Sequence, residues 1–236
     1  MWKKTSNSEY DQRLGCKYYL SSGNKNGIDN KERDPELVGF QHLDWLYLGS
    51  IGVSGGVLVM WDRRIVEKID EAGGRFSVSC KFKNVEDHFV WAFTSVYGPN
   101  SDHDRQLLWK ELAGIHSWWN VPWCIGGDFN VVRFPSERLG ANSFSSAMLD
   151  FSDFISEHNL IDLPLKDGTF TWTNSRVVAS WSRLDRFLLS SNLEEHFPNN
   201  RKKRLHRLLS NNFPVLLEGG NFHKGSRPFR FENMWL

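Results

Sequence analysis

Trp123-Cys124-Ile125-Gly126-Gly127-Asp128-Phe129-Asn130-Val131-Val132 reads as a buried strand that ends in a Gly-Gly-Asp turn. The apolar residues deliver Asp128 and Asn130 to the end of a sheet, and a spacing of two puts both polar side chains on one side of an extended chain. The two glycines let backbone or ligand approach closely. A carboxylate for a water or ion, beside an amide for an oxygen, is the pair that metal-assisted phosphate chemistry uses. The same residues also make an ordinary Asp/Asn-stabilised turn.

The stretches on either side alternate in period or run apolar. Residues 55–62 are a continuous apolar run after two glycines, as in a buried strand. In 75–82, Phe76, Val78, Cys80 and Phe82 share one face and Ser77, Ser79 and Lys81 the other. Residues 89–97 form another strand, stopped by Gly98-Pro99. Leu108, Leu112, Ile115 and Trp119 predict a helix over 105–119, with Asp102 or Asp104 as N-cap, and 147–160 predict a second amphipathic helix. Residues 168–174 alternate as a strand, 182–190 start polar and end apolar, and 212–220 are a last short apolar run. Strands outnumber helices, and three strands precede the first helix. That order predicts a largely antiparallel, sheet-rich α/β fold with helices outside, not a doubly wound parallel sheet. Residues 1–36 are turn-rich and charged, and read as loop or disorder.

Composition excludes several classes. Seventeen Phe, 11 Trp and 5 Tyr in 236 residues need a core, which a disordered chain lacks. No apolar run approaches the roughly 18 residues of a membrane span, and no apolar stretch follows the N-terminal lysines, so neither a membrane nor secretion is expected. Cys16, Cys80 and Cys124, odd in number and widely spaced, fit neither a disulfide framework nor a zinc site and point to a reducing, intracellular compartment, nucleus or cytoplasm. No obligate protein partner is implied. The net charge is +1, but Arg201, Lys202, Lys203, Arg204 and Arg207 crowd one segment. Such a cluster can meet phosphates, or be a solvated turn.

Other residues admit two readings. Tyr97, at a strand end, can donate to a phosphate oxygen or simply pack at a rim. Asp185, between Arg183 and Arg186, can be a site residue or a surface ion pair. Asp102-His103-Asp104 opens a helix, which favours capping over metal binding.

The order of these motifs, VYGP, GGDFN, FTW, Ser-Arg-Leu-Asp-Arg-Phe-Leu and a last segment containing Phe213-Pro214-Val215-Leu216-Leu217, resembles the endonuclease/exonuclease/phosphatase (DNase I-like) superfamily. It is most similar to the apurinic-endonuclease-like domain of plant LINE-type, non-LTR retrotransposons, over about residues 45–236. The resemblance implies an α/β two-sheet sandwich flanked by helices, incomplete here at its N-terminus. It sets 45–220 as the domain, 1–44 as unrelated or disordered, and 221–236 as a tail that in the family leads to a reverse transcriptase absent from this chain. It implies Mg²⁺-dependent cleavage of DNA. Asp128 would position the water and hold the metal, Asn130 would hold a phosphate oxygen, Tyr97 would contact the phosphate, and Asp185 would orient a His. Arg201, Lys202, Lys203 and Arg204 would bind the nucleic acid.

The departures point to impaired or absent activity. The family's Ser-Asp-His is Ser210-Asn211-Asn212 here, so Asn211 and Asn212 replace the Asp and the His. Neither the family's Trp-Asn strand nor its Gln-Glu strand, source of the metal-binding Glu, is matched in 1–44, where Glu32, Glu36 and Asp44 are among the carboxylates on hand. A sheet without those strands would leave Val57, Val59, Val96 and Ile125 short of cover. The alternative functions are a non-catalytic nucleic-acid-binding remnant or degenerate reading frame, and a phosphatase acting on a small phosphate ester.

Overall fold

The computed structural model describes residues 16–21, 42–49, 56–174, 178–206 and 211–219. Glu32, Glu36, Arg207, Ser210 and the segment 221–236 lie outside the described residues. The chain runs β1 (Cys16–Ser21), β2 (Leu43–Leu48), β3 (Gly56–Asp62), β4 (Val66–Gly73), β5 (Ser77–Asn84), β6 (Val90–Tyr97), α1 (Asp102–Trp119), β7 (Trp123–Asp128), α2 (Ser146–Glu157), β8 (Leu160–Asp162), β9 (Leu165–Lys166), β10 (Trp172–Thr173), β11 (Trp181–Ser182), β12 (Asp185–Ser190), α3 (Ser191–His196), β13 (Arg201–Arg204) and β14 (Val215–Glu218).

A six-stranded sheet of order β4-β5-β6-β7-β12-β8 forms the centre. Its pairs are antiparallel except β6 with β7, which run parallel and are joined through α1. The period of two along each strand feeds two cores. Ala92, Val96, Trp123, Ile125 and Leu188 face α1 and α2, meeting Leu108, Leu112, Phe151 and Phe154. Phe93, Cys124, Phe187 and Leu189 face the other way and pack with Val57, Val59 and Trp61 of β3 and Leu193 of α3. β3 is the middle strand of a second sheet, β1-β3-β2, and β14-β13-β9 makes a third. The architecture is the expected α/β sandwich, with α1 and α2 on one side of the central sheet and β3 and α3 on the other.

Four expectations change. Cys16–Ser21, placed in loop by composition, pairs antiparallel with β3 from Cys16↔Trp61 to Ser21↔Gly56. Val57, Val59, Val96 and Ile125 are all buried, so the expected loss of cover does not occur. β5 is buried on both faces, because Ser79 on the polar side hydrogen-bonds Thr94 of β6 at 2.8 Å in place of water. The N-cap of α1 is Ser101, whose side chain accepts from the Asp104 N–H; Asp102 and Asp104 sit in the first turn, where their charge meets the helix dipole. β4 and β13 were not legible as strands, since both are rich in charged residues.

Candidate functional site

Three strand ends bring the predicted residues together. Tyr97 closes β6, Asp128 closes β7, and they are opposite each other in the parallel register. Asp185 opens β12 and stands opposite Asp128 in the antiparallel register. Side chains at paired positions of neighbouring strands project to the same face. The sheet edge thus gathers a phenol and two carboxylates from segments far apart in sequence.

The turn after β7 fixes Asn130. Its φ is +51°, a left-handed conformation that Asn tolerates. Its backbone N–H donates to Asp128 Oδ1 at 2.9 Å and its Nδ2 donates to the Gly98 carbonyl at 2.6 Å. The Asp/Asn turn and the candidate site are therefore the same structure. Gly98 is required here: a Cβ on it would meet the Phe129 carbonyl oxygen at 2.2 Å, while its N–H donates to the Asp128 carbonyl at 2.6 Å.

Asn212 arrives from the other side. It bridges Trp172 of β10, and its Nδ2 donates to Asp128 Oδ2 at 3.2 Å. It also lies within hydrogen-bonding reach of Asp185. Asn211 is exposed and contributes its carbonyl to Thr173 N–H at 3.1 Å. Thr171, the middle residue of the FTW motif, positions Asp185: its Oγ1 accepts from the N–H groups of Leu184 at 2.9 Å and Asp185 at 3.0 Å.

Both carboxyls lie out of water, and their acidities follow. Burial pushes Asp185 well above the ordinary carboxylate value, and the charge of Asp128 pushes the same way. Burial also raises Asp128, against the opposing hydrogen bonds from Asn130 and Asn212. Tyr97, half-buried, is raised by burial and by the Asp128 charge. Asp185 Oδ2 has no hydrogen-bond donor among the described residues.

The flanking arginines do not pair with Asp185, so the surface ion pair is corrected. Arg186 is fully buried and bridges Glu137 and Asp162; Arg183 contacts the same two carboxylates at 3.2 and 3.3 Å. Burial alone would raise Asp162, but Arg186, Lys202, Arg183 and Arg133 outweigh it and hold the carboxyl below its usual range. Neither Glu137 nor Asp162 stood out in the sequence, because their partners come from distant segments.

The basic cluster is also corrected. Arg201–Arg204 is strand β13, so its side chains alternate between faces. Lys202 is fully buried, with Nζ 3.5 Å from Asp162. Lys203 is paired with Glu218 at 2.6 Å, and Arg204 lies over the Phe213 ring and donates to the Phe170 carbonyl. Only Arg201 is exposed. These four residues are not one phosphate-binding surface.

Among the described residues no group of three or more His, Cys, Asp or Glu side chains is arranged to hold a metal ion. Asp128 and Asp185 are the two carboxylates at the strand ends. A hard divalent cation draws its affinity from several ionised oxygens. The described donor set therefore does not by itself fit Mg²⁺.

The sequence profile of the Endonuclease/Exonuclease/phosphatase family matches residues 8–200. The match begins ahead of the position where the motifs first carry the resemblance. No curated protein sequence matches significantly. Similar solved structures include the endonuclease domain of TRAS1, a telomere-specific non-LTR retrotransposon, with 12% identity, TM-score 0.60, and 76% of this chain and 81% of that chain covered. The AP endonuclease LMAP from Leishmania major is 14% identical, TM-score 0.57, over 74% of this chain and 69% of that chain. A mannosyl-6-phosphatase from Bacteroides thetaiotaomicron is 17% identical, TM-score 0.50, over 78% and 79%. At these identities the likeness is one of fold. The sandwich and the matched sequence profile agree, and the chain belongs to the endonuclease/exonuclease/phosphatase family.

Proposed function

We propose that the chain is a DNA endonuclease domain of LINE-type retrotransposon descent whose cleavage chemistry is impaired. The family is generally metal-dependent. The observation that carries the reading is Asn212, hydrogen-bonded to Asp128 and close to Asp185, in the segment where the resemblance implies a His. An imidazole there takes or gives a proton near neutral pH, and as a cation it stabilises developing charge. An amide does neither. Loss of a positioned proton-transfer group costs roughly 10²–10⁴-fold. Asp128, Asn130 and Tyr97 remain as a wall that can receive a phosphate, while the ionised oxygens that hold a metal are too few among the described residues.

The test is nicking of supercoiled plasmid in Mg²⁺, with Asp128→Ala as background. The unsubstituted chain is expected to match that background. The double substitution Asn211→Asp with Asn212→His is expected to raise nicking only in part, because a proton-transfer group without the ion's charge stabilisation contributes little. Mg²⁺-saturable nicking by the unsubstituted chain that Asp128→Ala abolishes overturns the reading.

A further inference from the structure

The turn that follows the site carries an aromatic pair that the core does not use. Phe134 is 40% exposed and Phe144 is 55% exposed, and their rings meet edge to face with centroids 6.4 Å apart. Leu139, in the same loop, is 58% exposed. The Arg133 guanidinium lies over the Phe134 ring at 5.0 Å, with Nη1 also 3.9 Å from Asp162 Oδ2. Arg138 is exposed; its Nε donates to Ser182 Oγ at 3.4 Å, and no carboxylate pairs with it among the described residues. An apolar patch with cations at its margin is unlike an ordinary solvated loop.

The loop is held rigidly, and it is held beside the site. Glu137 Oε2 accepts from the N–H groups of Arg133 at 2.7 Å and Phe134 at 3.1 Å, and the buried Arg186 holds that carboxylate in place. Arg138 bridges Ser182, and the Leu139 N–H donates to the Trp181 carbonyl at 3.0 Å. Strand β11 leads within a few residues to Asp185. The backbone that carries Phe134 is thus anchored before anything binds, which lowers the entropic cost of binding.

We infer that Phe134 and Phe144, flanked by Arg133 and Arg138, form a stacking platform for an unpaired base of the DNA strand that lies across the Asp128 site. This rests on the reading that the partner is DNA. Charge decides between occupants: arginines at the rim suit a polyanion, and a ring face accepts any base without sequence preference. The domain then favours DNA that is locally opened over a fully paired duplex.

The experiment uses the whole chain at low salt, with two duplexes of one length, one fully paired and one carrying a short mismatched bubble with 2-aminopurine. Binding is read by anisotropy and stacking by 2-aminopurine quenching. The expected result is roughly tenfold tighter binding to the opened duplex, with quenching. Phe134→Ala with Phe144→Ala should abolish both the preference and the quenching while leaving binding to the paired duplex intact. Phe134→Leu with Phe144→Leu keeps apolar bulk without a ring and should lose them too; retention in the leucine variant overturns stacking. Equal affinity for the two duplexes overturns the inference and leaves the DNA reading standing, whereas no binding to either overturns both. A dimer that the alanine substitutions dissociate assigns the patch to self-association, and the inference falls.

Discussion

Asp128 and Asp185 face each other across adjacent antiparallel strands, both buried, and the charge of Asp128 adds to the burial that makes Asp185 costly to ionise. This arrangement opposes folding. Asp185 binds its proton more readily folded than unfolded. Its ionisation is therefore a penalty, absent below the ordinary carboxylate range and growing as pH rises toward the raised folded value.

Asp185→Asn should stabilise the protein at neutral pH. It keeps the shape and removes one of the two charges. The gain expected is about 1–2 kcal/mol, the usual size for relief of a strained functional site, or roughly 2–8 °C in Tm for a chain of this length. Melts in EDTA between pH 4 and pH 8 check it: the difference from the unsubstituted protein should shrink as pH falls. A variant less stable at pH 8 contradicts the assignment of burial as the cause.

Arg186 has the opposite role. Its guanidinium bridges Glu137 and Asp162 inside the protein, and its cation lies over Phe151. Removing one partner leaves buried charge uncompensated, at a cost of about 3–5 kcal/mol. Arg186→Ala should unfold at markedly lower denaturant, and the loop carrying Phe134 should lose amide-exchange protection, because Glu137 holds that loop. Unchanged protection there would show that the bridge is dispensable to it.

Lys202 makes a pH-dependent contribution. Burial pulls its ammonium down to about 7, with Arg183 and Arg186 acting in the same direction and Asp162 against them. The folded state holds this proton less well than the unfolded chain. The burial penalty is full below about pH 7 and is relieved as pH rises from there toward the lysine's ordinary value. Lys202→Met should be neutral to stabilising below pH 7, by as much as about 1–4 kcal/mol, with the advantage fading at alkaline pH. Urea titrations at pH 6 and pH 9 separate the outcomes; a larger advantage at pH 9 refutes the sign.

Gly98→Ala tests the turn. The added methyl would overlap the Phe129 backbone, so the chain that presents Asp128 and Asn130 must move. A cost of about 1–3 kcal/mol is expected from overpacking. Asn130 should lose its grip on the Gly98 carbonyl, visible as a shifted Asn130 side-chain amide resonance in NMR. An unmoved resonance would mean the turn absorbs the methyl elsewhere.

The site was legible where its residues carry local signals. Asp128 and Asn130 follow an apolar run and two glycines, Tyr97 precedes Gly98-Pro99, and Asp185 opens an apolar strand. Each signal lies within a few residues. The ionic cluster was not legible, because Arg186 meets Glu137 and Asp162 only after β12, β8 and the loop after β7 have come together. Arg201–Arg204 misled for a related reason: four like charges in a row read as one surface, yet a strand turns alternate side chains to opposite sides. Strand β1 was hidden in a polar segment whose pairing with β3 supplies what its composition does not.

The hydrogen bond from Asn212 to Asp128 spans 84 positions of sequence. During synthesis the ribosome releases the β6-α1-β7 unit well before the segment that carries Asn212. Until that segment docks, Asp128 lacks this donor. The strand ends that gather the candidate residues are therefore completed late, after the sheet that supports them can already have formed. A chain stopped before Asn211 would keep β4 to β12 in its sequence and lack this last closure.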